Sequence, residues 1–207
     1  MLTAPDGTRY YTKLRKSGET AQQAEERMQT EVLASKLYAL AGVPVADLQM
    51  GTNNGDPVMM SRMIQVRMPR GKADNDAARD NFVVDAWLAN WDAPLNDNIQ
   101  IDSNGNAVRM DVGGSLDFRA QGQRKGSGRT VAFGNNPGEM NSMQKQGTYD
   151  FTGMDAAELK KQAQRLSTIT NDDIRKTVAA VVTDPARAAQ LAATLIARRD
   201  AIVQGWG

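Results

Sequence analysis

Three oxygen-bearing side chains that could act together in catalysis lie between residues 82 and 119. Asp92 and Asn98 fall in a polar loop after an apolar helical pattern, and Asp111 stands just before a glycine pair. The residues between Asn98 and Asp111 alternate as in a β-hairpin, whose ends should bring the three side chains together. Phosphoryl transfer needs a carboxylate to orient the attacking hydroxyl and oxygen ligands to hold Mg²⁺. Asp92 suits the first task, and Asn98 with Asp111 suits the second.

The turn of this hairpin is predicted at residues 102–106, Asp-Ser-Asn-Gly-Asn. Such residues occur in tight turns and also in calcium loops, but the Glu that an EF-hand requires does not follow at the right distance. A structural turn is therefore the favoured interpretation here. For Asp92, Asn98 and Asp111 a plain role in turns remains the alternative to the catalytic hypothesis, which we prefer.

The order and spacing of Asp92, Asn98 and Asp111 resemble the catalytic loop, metal-binding Asn and Asp-Phe-Gly segment of protein-kinase-like enzymes. The resemblance is strongest to the divergent branch of HipA-like toxin kinases and type II phosphatidylinositol 4-kinases. Those relatives also lack the usual His-Arg before the catalytic Asp, as this chain does with Asn90-Trp91. The resemblance implies ATP and Mg²⁺ as cofactors, Asp92 as the catalytic residue, and Asn98 and Asp111 as the metal ligands.

This loop departs from the kinase pattern in two ways. Most kinases place the metal-binding Asn at the position that is Asp97 here, with Asn96 and Asn98 close by. We prefer Asn98 because the apolar strand of residues 99–101 follows it directly. In the second departure, Asp111-Val-Gly-Gly replaces Asp-Phe-Gly, which keeps the metal carboxylate but removes the aromatic ring that usually packs behind it.

A lysine on a strand near the start of the chain is the next candidate. Residues 8–14 are rich in β-formers and follow a turn signal, Pro-Asp-Gly, so they predict the second strand of a hairpin that carries Lys13. By the resemblance, Lys13 is the cofactor-binding lysine that holds the nucleotide phosphates, and Lys16 is a weaker candidate because it lies past the strand. A solvated lysine is the alternative.

The predicted partner of that lysine lies on the following helix. Residues 19–41 contain strong helix formers and end at Gly42. Glu31 borders the apolar stripe of this helix, where a carboxylate can reach an ammonium on a neighbouring sheet. The resemblance implies that Glu31 pairs with the nucleotide-holding lysine, although a solvent-facing role is an equal alternative.

Two further strands are predicted at residues 43–50 and 57–64, joined by a turn at residues 51–55. The resemblance implies that the hinge against which adenine lies falls within residues 61–66. Ser61 and Met63 are therefore cofactor-binding candidates. Met59 and Met60 could line the same slot or simply fill the core, since methionine adapts to both.

The rest of the chain is predicted to be mainly helical. A polar connection at residues 71–76 leads to a buried helix at residues 76–90, and three more helices follow at residues 155–167, 171–182 and about 184–203. Between them lies a Gly- and Arg-rich segment where kinases keep the activation segment. It contains four cations that could bind phosphate or simply be solvated: Arg119, Arg124, Lys125 and Arg129.

Composition excludes several classes of function. The chain has no histidine and no cysteine, which removes imidazole catalysis, histidine zinc sites and thiolate chemistry. Its 25 basic and 24 acidic residues create no global field for nucleic acid or an anionic membrane. No apolar run is long enough for a membrane span, and no Sec signal is visible. We therefore expect a soluble, cytoplasmic protein, or one that is delivered without a Sec signal.

These observations lead to one prediction of fold and function. We expect an α+β, two-lobed kinase-like fold, with a small antiparallel sheet and one helix in residues 1–66 and a mainly helical lobe in residues 67–207. The chain opens abruptly on a turn, which is consistent with a missing N-terminal portion. The predicted activity is ATP- and Mg²⁺-dependent transfer to a hydroxyl, with a protein as the favoured substrate and a lipid or small molecule still open. A non-catalytic pseudokinase, or an enzyme that transfers AMP, is the alternative.

Overall fold

The structure is a computed structural model that describes residues 1–3, 6–95, 97–127, 131–145 and 151–206. In these residues a four-stranded antiparallel sheet near the N-terminus is followed by a three-stranded sheet and then by helices. The order is mixed α and β, with the sheets in the first half of the chain.

The first sheet has the strand order β1-β2-β4-β3. Its strands are β1 (Leu2–Thr3), β2 (Arg9–Lys13), β3 (Leu48–Asn53) and β4 (Asp56–Arg62). The predicted five-residue turn between β3 and β4 is wrong, because the strands stay paired out to Asn53 and Asp56. Asn54 and Gly55 alone make the turn, with φ angles of 51° and 85°. Two residues at positive φ form the tight turn that matches the twist of a hairpin.

The predicted start of β3 is also wrong, for a reason that matters to the architecture. Residues 43–47 do not belong to the first sheet but run beside the second one. The Ala46 amide donates to the carbonyl of Arg109 at 3.0 Å, and the Arg109 amide donates to Pro44 at 2.9 Å. The backbone groups of this segment are used to connect the two sheets.

The helix predicted over residues 19–41 is present as α1 (Ala21–Leu40). Its start is fixed by a capping box in which the Thr20 side chain accepts from the Gln23 amide and the Gln23 side chain accepts from the Thr20 amide. Gly42 ends the helix at a φ of 71°, a conformation that favours glycine. α1 packs on β3 and β4, which fixes the position of its side chains relative to β2.

The second sheet consists of β5 (Val66–Arg67), β6 (Ile99–Asp102) and β7 (Ala107–Arg109). The predicted hairpin is β6 and β7, and its turn is built by Asp102, whose carboxylate accepts from the amides of Asn104 and Asn106 at 2.9 and 2.8 Å. This is a structural turn, as predicted. β5 was not predicted, and the predicted division between residues 66 and 67 falls inside it.

The single helix predicted at residues 76–90 is wrong. The chain forms α2 (Gly71–Arg79) and α3 (Phe82–Trp87), so the predicted polar connection at residues 71–76 is itself helical. Gln162 satisfies the backbone at the break: its side-chain oxygen accepts from the Val83 amide, and its amide donates to the Arg79 carbonyl, each at 3.0 Å. The Gln162 side chain therefore stabilises a break between α2 and α3 that the sequence near the break does not reveal.

The remaining helices form the C-terminal half of the core. They are α4 (Met140–Met143), α5 (Ala156–Ser167), α6 (Asn171–Ala179) and α7 (Pro185–Trp206), with a 3₁₀ turn at Phe151–Gly153. α5 and α6 pack on α7, and the buried Trp87 of α3 donates from its indole to the Leu195 carbonyl at 2.9 Å. Within the described ranges, no helix is both long and apolar enough to cross a membrane.

Candidate active site

Three of the predicted site residues meet in one ion cluster. The Lys13 ammonium, on β2, lies 2.8 Å from Glu31 Oε2 and 3.1 Å from Asp111 Oδ1. Glu31 comes from α1 and is buried, whereas Asp111 follows β7 and is half-buried. The packing of α1 on the first sheet and the connection between the two sheets together position these three groups.

The charges in this cluster stabilise one another. Burial alone would lower the pKa of the Lys13 ammonium, but the carboxylates of Glu31 and Asp111 outweigh burial and raise that pKa. Burial would likewise raise the pKa of Asp111, but Lys13 and the Gly113 amide outweigh it and lower the pKa. Lys13 and Asp111 are therefore charged at neutral pH.

The glycine pair after Asp111 is required by close contacts on both sides. The Gly113 amide donates to Asp111 Oδ1 at 2.9 Å. A methyl group on Gly113 would lie 3.1 Å from that oxygen and 3.2 Å from Glu31 Cδ, and one on Gly114 would lie 2.6 Å from Asp92 Oδ2. A side chain at Gly114 would therefore displace Asp92, and one at Gly113 would require Asp111 or Glu31 to shift slightly.

Asn98 lies close to the loop that carries Asp92. Its side-chain nitrogen donates to the Asp92 backbone carbonyl at 2.7 Å. Its side-chain oxygen has no hydrogen-bond partner among the described residues, and Asn98 and Asp111 line the same cleft. Asp97 is exposed on the same loop, and Asn96, the other alternative for the metal ligand, lies outside the described residues.

The Asp92 carboxylate differs from the other acids of the site because no described residue forms an ion pair or a side-chain hydrogen bond with it. Burial raises its pKa, the neighbouring charge of Asp111 adds to the rise, and Lys125 and Arg119 oppose it. A carboxylate with a raised pKa and a free lone pair is suited to accept a proton.

Lys125 supports both sides of this loop. Its ammonium donates to the carbonyls of Ala89 at 2.6 Å and Gly114 at 2.8 Å, and so connects the segment before Asp92 to the glycine pair. Burial lowers the pKa of Lys125 to about 7, and the neighbouring Arg198 contributes. The sequence marked Lys125 only as one of four cations, because its partners are backbone carbonyls that carry no sequence signal.

A buried polar network beneath the loop escaped the sequence analysis. The Arg109 guanidinium, on β7, makes two hydrogen bonds to Asp85 of α3, at 3.0 and 2.6 Å. Tyr38 donates to Asp85 at 2.8 Å, and Asn90 donates to the Tyr38 hydroxyl at 3.0 Å. Asn90 stands just before Trp91 and Asp92, so this network fixes the start of the loop against α1 and β7.

A cleft of about 450 Å³ adjoins the ion cluster and contains the predicted adenine-binding residues. Ser61, Met63 and Met59 line it, together with Lys13, Glu31, Asn98 and Asp111, whereas Met60 does not. Apolar side chains among the lining residues form an apolar slot within this cleft: Ala46, Leu48, Met59, Ile64, Met110 and Val112.

The basic segment after the glycine pair is held by ion pairs. Arg124 bonds to Asp117 at 2.6 Å and to Glu26 of α1 at 2.5 Å, and its guanidinium lies 4.8 Å from the Phe118 ring centre. Lys16, which follows β2, donates to the Gln121 carbonyl at 2.9 Å. Arg124 is therefore occupied structurally, and Arg129 lies outside the described residues.

No protein-family model matches the sequence, and no curated protein matches it. Among solved structures, the chain is similar to the proinflammatory kinase CtkA of Helicobacter pylori, with a TM-score of 0.57 and 10% sequence identity. The similarity covers 97% of this chain and 88% of the CtkA chain. The fold is kinase-like. The predicted α+β, two-lobed architecture is thereby confirmed, and at this identity the likeness concerns the fold alone.

Proposed function

We propose that this protein is an ATP- and Mg²⁺-dependent kinase that transfers a phosphoryl group to a hydroxyl of a protein. The observation that carries the proposal is the ion cluster of Lys13, Glu31 and Asp111, which come from three separate elements. Such a cluster is the sign of an assembled nucleotide site in kinase-like proteins. A fold alone supports many activities, so the site and not the architecture carries the argument.

The nucleotide would lie in the 450 Å³ cleft. Lys13 would bind the phosphates, and Glu31 would hold the ammonium in place. The adenine ring would occupy the apolar slot beside Ser61 and Met63. Lys13 and Asp111 already attract one another, so the site is preorganised and loses little free energy in assembling when ATP enters.

Asp111 and Asn98 fit a magnesium ion by their chemistry. Asp111 Oδ2 and the Asn98 side-chain oxygen have no hydrogen-bond partner among the described residues, and both side chains line the nucleotide cleft. The described residues contain no cluster of three or more acidic side chains for a metal, but Mg²⁺ usually takes only one or two carboxylates together with water and phosphate oxygens. When bound, the ion would neutralise charge on the phosphates.

Asp92 would accept the proton of the substrate hydroxyl. In the transfer, the hydroxyl oxygen forms a bond to the γ-phosphorus, the bond from that phosphorus to the β-phosphate oxygen breaks, and ADP leaves with the electron pair. The hydroxyl proton goes to the Asp92 carboxylate. The raised pKa of Asp92 suits this task, since a stronger base accepts a proton more readily.

The proposal has two finer features, the branch of kinases and the class of substrate. Asn90-Trp91 in place of His-Arg supports the HipA-like and type II phosphatidylinositol 4-kinase branch, and Asn90 bonds to Tyr38 rather than to the catalytic residue. A protein substrate is supported by a separate cavity that Asp92 lines together with Arg119, Ala120 and Gln121. These three residues are exposed, so the cavity is open to a side chain of a larger molecule.

Two experiments test the proposal. The first measures thermal unfolding with ATP and Mg²⁺, and the second measures transfer of labelled phosphate from ATP to a mixture of proteins. ATP with Mg²⁺ at one hundred times Kd should add about 2.7 kcal/mol to the free energy of unfolding. The Lys13→Met variant should lose this shift, and Lys36→Met, at a half-buried lysine of α1 that does not line the cleft, should keep it. If ATP does not stabilise the unchanged protein, a module that binds no nucleotide is favoured. If the protein substrate acquires a label carried on the adenosine part of ATP, AMP transfer is favoured.

A further inference from the structure

A second cavity lies on the other side of the glycine pair and is separate from the nucleotide cleft. It measures about 340 Å³, and its described walls include Trp91, Asp92, Gly114, Arg119 and Lys125. None of these residues lines the nucleotide cleft. Since Asp92 is the proposed proton acceptor, this cavity is where the accepting hydroxyl would enter.

The described walls of the cavity contain two basic side chains and one acidic one. Asp92 is the sole acid among its described lining residues, and Arg119 and Lys125 are the bases, of which Lys125, with a pKa lowered to about 7, is only partly charged at neutral pH. Both cations act on Asp92 strongly enough to oppose the rise of its pKa. An incoming group with a negative charge would therefore find an attractive field at the mouth of the cavity.

The two cations are not equally available to a ligand. The Lys125 ammonium is already bonded to the carbonyls of Ala89 and Gly114. The Arg119 side chain is exposed, and its guanidinium forms no hydrogen bond or ion pair with another described residue. Arg124, five positions later, is by contrast held by Asp117 and Glu26. Arg119 is thus the cation that has donors to offer.

We infer that the protein selects a serine or threonine flanked by an acidic residue, whose carboxylate binds Arg119 while the hydroxyl reaches Asp92. This inference rests on the proposed function. A guanidinium presents paired donors that match a carboxylate, and Arg119 lies at the exposed mouth, where a neighbouring residue of an extended peptide would pass. Trp91 is half-buried in the cavity wall and provides apolar contact for the peptide.

Binding of two fluorescein-labelled peptides to the full chain with ADP and Mg²⁺ tests the inference. The peptides are identical except that the residues flanking one serine are Glu in the first and Gln in the second. The Glu peptide should bind about fivefold more tightly, as expected for one exposed charge pair. Arg119→Gln should abolish the difference. Arg175→Gln, at an exposed arginine of α6 that lines neither cavity, should preserve it.

Three outcomes would overturn the inference. The first is equal binding of the two peptides, and the second is an equal loss of the preference for the Glu peptide in both arginine variants. The third is a rise in the KM for ATP, rather than in the KM for peptide, in Arg119→Gln. The last result would assign Arg119 to the nucleotide. Transfer of phosphate, measured on the same peptides, separates the two proposals. A preference for the Glu peptide that depends on Arg119, without any transfer, would support the acidic-peptide inference and contradict the kinase proposal.

Discussion

The nucleotide cleft, which Asp111 lines, and the Asp92 cavity, which Gly114 lines, share no described lining residue and differ in how their charges are matched. In the cleft, Lys13 is paired with Glu31 and Asp111, and the charged forms of Lys13 and Asp111 are stabilised. In the cavity, Asp92 has no ion-pair partner in the described chain, and burial raises its pKa. The comparison teaches that the charges of the cleft stabilise one another, whereas the Asp92 carboxylate keeps free lone pairs, which is what its proposed role as a proton acceptor requires.

The pairing in the cleft makes Asp111 the residue whose loss should have the largest effect. Asp111→Ala removes the proposed metal carboxylate and one partner of Lys13, so transfer should fall about a thousandfold and Mg²⁺-dependent nucleotide binding should be lost. Calorimetric titration with ATP, with and without Mg²⁺, measures this. Asp97→Ala is the matched control because Asp97 lines the same cleft but forms no ion pair with Lys13.

Cooperative unfolding of Asp111→Ala is part of the prediction, since the residue serves the site rather than the core. Complete loss of folding would instead support a structural cap on the hairpin. Loss of metal binding in Asp97→Ala but not in Asn98→Ala would show that the metal ligand is assigned to the wrong residue of the loop.

The glycine pair separates the cleft from the cavity, and Gly114→Ala should affect the cavity alone. The new methyl group would lie 2.6 Å from Asp92 Oδ2 and would displace the carboxylate. Transfer should fall up to about a hundredfold, because a displacement of about 1 Å can cost that much, while ATP affinity stays unchanged. Gly134→Ala is the control, since a methyl group there meets open space. Full transfer activity in Gly114→Ala would argue against an accepting hydroxyl at Asp92.

The smallest effect concerns the pH dependence of stability through Lys125. Its pKa of about 7 in the folded chain lies below the ordinary 10.5, so above pH 7 the unfolded chain binds more protons at this position. The free energy of unfolding should therefore rise with pH between 7 and 9, by at most about 1.4 kcal/mol per pH unit from this group. Lys125→Met should lack this contribution, and Lys72→Met, at an exposed lysine, should keep it. Chemical denaturation at several pH values would decide, and identical slopes in all three proteins would contradict the assignment.

Sequence patterns predicted the parts of this molecule that depend on local periodicity. The β6–β7 hairpin and α1 follow from alternation, capping and glycine stops, and the pairing of Lys13 with Glu31 near Asp111 was implied by the resemblance to kinase-like enzymes. The break between α2 and α3 could not be predicted, because Gln162 on α5 satisfies its backbone groups. β5 could not be predicted either, since a two-residue strand has no periodicity.

The parts of the site that the sequence did not reveal depend on contacts between distant residues. Lys125 binds two carbonyls, and the network of Tyr38, Asp85, Asn90 and Arg109 joins three separate segments of the chain. Polar side chains in such networks look like ordinary surface residues in a sequence. The asymmetry between the cleft and the cavity is therefore visible only in three dimensions.

The most direct test of this account compares nucleotide affinity with phosphate transfer in Asp92→Asn. The substitution keeps the shape of the side chain but removes the base that would accept the hydroxyl proton. Affinity for ATP with Mg²⁺, measured by calorimetry, should stay within about threefold of the unchanged protein, while kcat should fall at least about a hundredfold, the smallest loss typical of a missing general base. Retention of full transfer activity by Asp92→Asn would contradict the proposed mechanism.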